Sequence, residues 1–323
     1  MRRYRGQEAI LKIPLRSSAV IAALLFMPLP AGAVSVIKHV IVIAMENTDA
    51  DEIYGKVKRA PYINGTLIPN YARATDFNDP LGLDVPSEPH YIWMEAGTNV
   101  FADHTFASNL DPKPKKGRNS TASGDHLVRQ IKDSGTVTWM SYQQGMTAGQ
   151  CPIVSFGLYA AKHNPFIFFE DVSGDPPSKT NQYCIDHHKP YSAFAADLAA
   201  NNLANYVFIT PNLCNDMHGD KKCPKGNRIT AGDNWLKAEL PRMIEWVTAN
   251  SGVIFIIWDE GRKTLKLPFF AIGPGVKADH ASAVTYNHGS LIRSVEEIFS
   301  LPILPSVQNN NNFADLFKTG QYP

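Results

Sequence analysis

Neither sign of charge dominates this sequence: 31 Lys and Arg stand against 30 Asp and Glu, a formal net charge of +1. The basic excess that marks a nucleic-acid binder is missing, so composition points away from that class of partner. After the N-terminal stretch there is no run of about eighteen unbroken apolar residues, which argues against stable membrane insertion of the mature chain. Cysteine is scarce, at four residues, and no pair has the CxxC spacing. A zinc-thiolate centre therefore lacks its usual signature. No internal repeat is visible, which removes solenoids and propellers. What is present is a chain of 323 residues with 44% hydrophobic content, enough for one large domain with a real core.

Arg2, Arg3, Arg5, Lys12 and Arg16 precede an apolar run from Ala19 to Met27, which ends in PLPAGA. A positive flank, a short apolar stretch and small residues at Ala31 and Ala33 read as a cleavable signal peptide over 1–33. The expectation is a mature chain of 34–323 in one domain, secreted or periplasmic. Export would place Cys151, Cys184, Cys214 and Cys223 in an oxidising compartment, where two disulfides have three possible connectivities. Cys214 with Cys223 is the simplest local closure.

Apolar runs recur at 39–45 (HVIVIAM), 136–142 (TVTWMSY), 206–210 (YVFIT) and 252–260 (GVIFIIWDE). Most are continuous, the pattern of strands covered on both faces. Helix-like stretches at 123–133, 190–202, 233–249 and 288–299 alternate with them, which predicts an α/β sandwich around a mainly parallel sheet. The segments 57–86 and 98–122 read as polar surface loops. Asp233 reads as the N-cap of the helix that follows it.

In such sheets ligands collect at the carboxyl ends of the strands. Glu46 and Asn47 follow the first run; Asn212, Asn215, Asp216 and His218 follow the third; Asp259 and Glu260 close the fourth. Converging carboxylates repel one another and are costly to desolvate, and a divalent cation relieves both problems. Ser87, in DVPSEPHYIWMEAG, lies just before Pro89 at an expected helix N-terminus. There, free backbone N–H groups suit a phosphate. His39, His104, His126 and His280 read as solvated or structural; His163, His187 and His188 are left open between a cleft and a structural role.

The blocks HVIVIAMEN, SEPHYIWMEAG, YAAKHNPF, ITPNLCNDMHGD, IIWDEG and NHGSLIRSVEEIF together resemble the phosphoesterase family of secreted acid phosphatases and phospholipases C, in family order over nearly the whole mature chain. The resemblance implies an alkaline-phosphatase-like three-layer sandwich in which Glu46, Asn47, Asp259 and Glu260 hold a divalent metal together with the nucleophile Ser87. It further implies that Asp216, His218 and His288 bind a second metal or contact the phosphoryl group and leaving oxygen, with His288 or His218 as the acid for the leaving alkoxide. One departure is His90, which stands where related enzymes often have Asn, so its phosphate contact is an open expectation. Oxygen donors favour Mg²⁺, Mn²⁺ or Ca²⁺, and recruited histidines favour Zn²⁺. The implied substrate is a small phosphate monoester or a phospholipid headgroup, cleaved through a phosphoserine. The alternatives are a phospholipase C-type diesterase and a non-catalytic secreted binder of metal or phosphate. Sequence leaves the oligomeric state open. A basic loop at Lys113, Lys115, Lys116 and Arg118 reads as a solvated charge cluster, with anionic lipid as the second reading.

Overall fold

The continuous, β-branched run that begins at His39 forms strand β1 (His39–Met45), buried from Val40 onward on both faces. The computed structural model describes residues 1–2, 36–112 and 119–322. The expected signal peptide and the basic cluster at 113–118 lie outside the described residues, save Met1 and Arg2. The chain divides into two compact units, Met1–Ala33 and Val34–Pro323. Every strand among the described residues belongs to the second unit.

The remaining strands are β2 (Ala72–Ala74), β3 (Phe77–Asn78), β4 (Trp139–Gln143), β5 (His188–Pro190), β6 (Tyr206–Thr210), β7 (Gly252–Trp258), β8 (Lys266–Leu267), β9 (Phe269–Ile272) and β10 (His280–Ser282). Eight form one sheet in the order β10-β2-β9-β7-β1-β6-β4-β5, and β3 pairs with β8 apart from it. β1 lies parallel to β6 and to β7, with Val40 opposite both Tyr206 and Val253. Within the eight-stranded sheet only β9 runs against its neighbours, antiparallel to β7 and to β2. Every residue of β6 and β7 is buried. This is the mark of a sheet covered on both sides, and the mainly parallel α/β architecture expected from sequence is the one observed.

Three local expectations are corrected. The segment 57–86 is not simply surface loop: it carries a π-helical turn (Ile63–Leu67), a short helix (Ile68–Asn70) and β2, which enters the main sheet. The long helix starts at Arg228 and is capped by Asn227, whose side chain accepts from the N–H groups of Ile229 and Thr230. Asp233 is therefore interior to that helix, and its carboxylate accepts from the backbone N–H groups of Tyr62 and Ile63. Asp233 thus secures the entry to the π-helical turn.

His126, read from sequence as solvated or structural, takes the structural role and is fully buried. Its Nδ1 lies 2.9 Å from Oε1 of Glu95 and its Nε2 3.0 Å from Oδ1 of Asp171. Burial opposes its charge, yet Asp171 and Glu95 together hold its pKa above the usual histidine value. Glu95 also accepts from the N–H of Val128, so a remote carboxylate serves the first turn of the Leu127–Ser134 helix. All four cysteines are paired, Cys151 with Cys184 and Cys214 with Cys223, and no free cysteine remains. Among the described residues no helix is long and apolar enough to cross a membrane.

Candidate active site

β1, β6 and β7 end side by side, and the segments that leave their carboxyl ends meet at one place. The N–H of Glu46 bonds to the carbonyl of Asp216, and that of Asp259 to the carbonyl of Met45. Glu46, Asp216 and Asp259 are all fully buried. Asn47 sits at φ 32°, a left-handed conformation that asparagine tolerates better than most residues. There its N–H reaches Oδ1 of Asp259 at 2.9 Å. Gly261 follows Glu260 where a Cβ would fall on the Thr264 carbonyl and the Asp49 carboxylate, so the tight exit from β7 excludes a side chain.

Burial first, and then repulsion from Asp216, pushes the Glu46 carboxyl well above its ordinary pKa. Burial and then Glu46 and Glu260 do the same to Asp259, and burial with Asp259 to Asp216. Oδ2 of Asp216 and Oδ2 of Asp259 are buried without a hydrogen-bond partner. Such a nest is poorly satisfied by protein alone, and a divalent cation supplies what it lacks. His163, which sequence leaves open between two roles, belongs to this nest. It lies on a 3-10 turn (Ala161–His163), with Nδ1 3.1 Å from Oε1 of Glu46. Glu46, His163 and Asp216 each offer a donor atom within 4.8 Å of the others, a suitable cradle for a cation. Burial holds the His163 pKa well below the usual value, so the ring is neutral and competent as a ligand. Its only signal in the sequence is the KHNPF portion of one family block.

Ser87 is the first residue of the Ser87–Ala96 helix, after the N-cap Pro86, and its side chain caps nothing. Instead its Oγ–H donates to Oε1 of Glu260 at 2.7 Å. Three residues on, His90 is fully buried and does not offer itself to a phosphate. Its Nδ1 donates to the Pro86 carbonyl at 3.0 Å and its Nε2 to Oδ1 of Asp79 at 2.9 Å. With both nitrogens donating, the ring is an imidazolium. Burial works against that charge, and Asp79 outweighs it. The phosphate contact left open for His90 is thus absent, and its effect on the site is that of a fixed positive charge near Asp259 and Glu260.

His288 opens the His288–Ile298 helix, whose N-cap Asn287 forms a capping box with Ser290. Its Nε2 lies 2.9 Å from the Trp258 carbonyl, which can only accept, so Nε2 carries the hydrogen and Nδ1 presents a lone pair. Burial and then His90 lower its pKa to about 4. His218 is similar: Nδ1 donates to the Gly219 carbonyl at 2.6 Å, leaving Nε2 as an acceptor. Its backbone N–H donates to Oδ1 of Asp216. Both rings are neutral acceptors here, better placed to bind a cation than to donate a proton.

The disulfide Cys214–Cys223 closes the loop that carries Asp216 and His218. With a sequence separation of 9, closure entropy alone is worth about 2–3 kcal/mol. Replacing both cysteines by serine is expected to lower thermal stability and to cost activity beyond what the stability loss explains, because two site residues lose their tether. The corresponding loss of Cys151–Cys184, away from the carboxylate nest, is expected to cost stability with turnover preserved in the fraction still folded. Melting curves beside initial rates at 25 °C separate the two.

The sequence model of the Phosphoesterase family matches residues 66–302. The chain is 28% identical over 276 residues to phosphatidylinositol-3-phosphatase of Mycobacterium tuberculosis, covering 85% of this chain and 81% of that protein. It is 27% identical over 280 residues to the phosphate-repressible acid phosphatase of Penicillium chrysogenum, where 80% of this chain covers 58% of the fungal protein. Among solved structures, murine ectonucleotide pyrophosphatase/phosphodiesterase 5 superposes with TM-score 0.53 at 12% identity, over 87% of this chain and 100% of that one. A Vibrio parahaemolyticus protein in the alkaline phosphatase superfamily gives 0.50 at 8% identity, over 84% and 68%. These neighbours share this chain's fold. With the family match spanning most of the chain, this protein belongs to the phosphoesterase family.

Proposed function

We propose that the protein hydrolyses phosphate monoesters, with Ser87 as nucleophile and a divalent cation held at the carboxylate nest. The observation that carries the reading is the Ser87 hydroxyl, at the first residue of a helix and 2.7 Å from Glu260, beside fully buried carboxylates that crowd one another. Glu46, Asn47, Asp259 and Glu260 would hold the cation with Ser87, and Asp216, His163, His218 and His288 supply further donors around them. A cation there lowers the pKa of the serine hydroxyl and offsets the charge of the phosphate.

The chain's own residues then do the following. Oγ of Ser87 attacks phosphorus in line, and its proton passes to Oε1 of Glu260 as the new P–O bond forms. The N-terminal turn of the Ser87–Ala96 helix, with its unpaired N–H groups, faces the phosphoryl oxygens. The ester oxygen leaves with the bonding pair and takes a proton from solvent at the half-buried His218 edge. Water then attacks the phosphoserine, the P–Oγ bond breaks, Oγ takes back the proton held on Glu260, and inorganic phosphate is released. The monoester preference draws on the mycobacterial and fungal relatives, whose names are those of phosphatases. The two disulfides support action in an oxidising compartment.

The test is p-nitrophenol release from p-nitrophenyl phosphate beside p-nitrophenylphosphorylcholine, with chelator and then Mg²⁺, Mn²⁺, Ca²⁺ or Zn²⁺ added back. Monoester hydrolysis that stops on chelation and returns with one ion supports the proposal. Preference for the choline diester would move the protein to phospholipase C chemistry, and no turnover with any ion would make it a binding protein.

A further inference from the structure

Two cations stand at the rim of this site without an anionic partner. Lys162 directly precedes His163 on its 3-10 turn and is half-buried, yet it makes no hydrogen bond or ion pair among the described residues. An ammonium partly withdrawn from water with no counter-charge is a cost that a bound anion removes. Arg262, two residues beyond Glu260, is exposed, but its guanidinium is anchored: Nε donates to the Asn47 carbonyl and Nη2 to the His218 carbonyl, both at 3.1 Å. Carbonyls fix its direction without neutralising it. Its own backbone is pinned as well, because Asp49 accepts from the N–H groups of Arg262, Lys263 and Thr264. Nη1 has no hydrogen-bond partner among the described residues. Both cations lie against His218: its carbonyl accepts from Nη2 of Arg262, and its ring stands 5.9 Å from that of His163, the residue after Lys162.

Lys263, next to Arg262 in the chain, lines a cavity of about 560 Å³ together with Lys56, Lys58 and Arg59. Its acidic members are Asp51 and Glu52, and Glu52 is already engaged by Arg228 at 3.1 Å. The rim and the cavity wall therefore carry an excess of positive charge on a chain whose net charge is only +1. The nucleophile and the carboxylate nest already provide for the scissile phosphate, and that chemistry makes no use of Lys162 or Arg262.

We infer that Lys162 and Arg262 form a subsite for a second anionic group of the substrate, so that the preferred substrates are phosphomonoesters bearing another phosphate. The inference rests on the monoesterase reading and narrows its substrate class. An anchored guanidinium suits a phosphate oxygen pair, and the ammonium adds a point charge beside it.

The experiment compares phosphate release from fructose 1,6-bisphosphate and fructose 6-phosphate at fixed ionic strength and fixed free divalent cation. Wild type is expected to favour the bisphosphate in kcat/KM by about tenfold or more, the scale of one charge-assisted hydrogen bond. Lys162→Met and Arg262→Met are each expected to cut that ratio about tenfold, mostly through KM. Lys162→Arg keeps most of it, and thermal melts confirm that each variant is folded. Equal kcat/KM for the two sugars in wild type, or an unchanged ratio in both Met variants, overturns the inference. If no monoester is hydrolysed at all, the monoesterase reading fails on its own. The subsite is then judged by calorimetric binding of fructose 1,6-bisphosphate: weaker binding in the Met variants supports it and equal binding overturns it.

Discussion

Ser87→Ala is expected to reduce hydrolysis of p-nitrophenyl phosphate by about four orders of magnitude or more, as loss of a nucleophile does when the rest of the machinery cannot substitute for it. The fold gives little reason for the protein to suffer otherwise. Ser87 caps no helix, and the one bond it loses is that to Glu260, a cost of about 1 kcal/mol. The melting temperature should thus barely move and cation binding should persist. Wild type quenched in acid during turnover should yield a phosphorylated peptide containing Ser87, and the variant should not. A variant that retains even a tenth of the rate, or a phosphopeptide found elsewhere, would remove Ser87 from its role.

The second large effect is opposite in sign for stability and for activity. Glu46→Gln should end turnover, yet in chelator at pH 7 it should stabilise the protein, seen as a melting temperature above that of wild type. The sign follows from linkage. Burial and then Asp216 raise the folded-state pKa of Glu46 well above its ordinary 4.5. A carboxyl of that kind is protonated in the fold, where its contribution to stability is full below 4.5 and is lost as pH rises toward the folded value. Asp216 and Asp259 shift in the same direction, so the metal-free protein as a whole should weaken as pH rises above the carboxylate range. An amide escapes that loss, and the advantage of the variant should fade toward pH 4. Added cation should reverse the order, stabilising wild type and leaving the variant almost unchanged. Melting curves at pH 4 and pH 7, with and without chelator, report all four states; a metal-free wild type more stable than the variant at pH 7 would contradict this linkage.

Legibility in the sequence tracks burial. β1, β6 and β7 are buried on both faces, and their continuous apolar runs can be read almost to the residue. The donors in the segments that leave them, Glu46, Asp216, Asp259 and Glu260, follow from the tendency of ligands to collect at strand ends. β2 and β10 are three residues each and owe their existence to the sheet around them, not to a pattern of their own. Roles set by distant partners are hidden for the same reason. Asp233 looks like a cap in any local window, and its true partners, Tyr62 and Ile63, lie about 170 residues away. His126 follows polar sequence, and only the fold brings Glu95 and Asp171 to it. His90 stands out as unusual, but Asp79, which claims it, does not, because a lone aspartate in a polar segment has no signature. His163 belongs with the donors, although it ends no strand; a 3-10 turn carries it there.

The sheet finishes at both margins in strands of only three residues, β10 and β5. β5 ends in Pro190, which has no N–H to give. A neighbouring molecule seeking to prolong the ladder would find almost no free rungs, and the flat apolar borders from which fibrils grow are missing. Concentrated solutions of this protein should consequently fail, when they fail, through unfolding and amorphous clumping, not by ordered strand addition to the native fold.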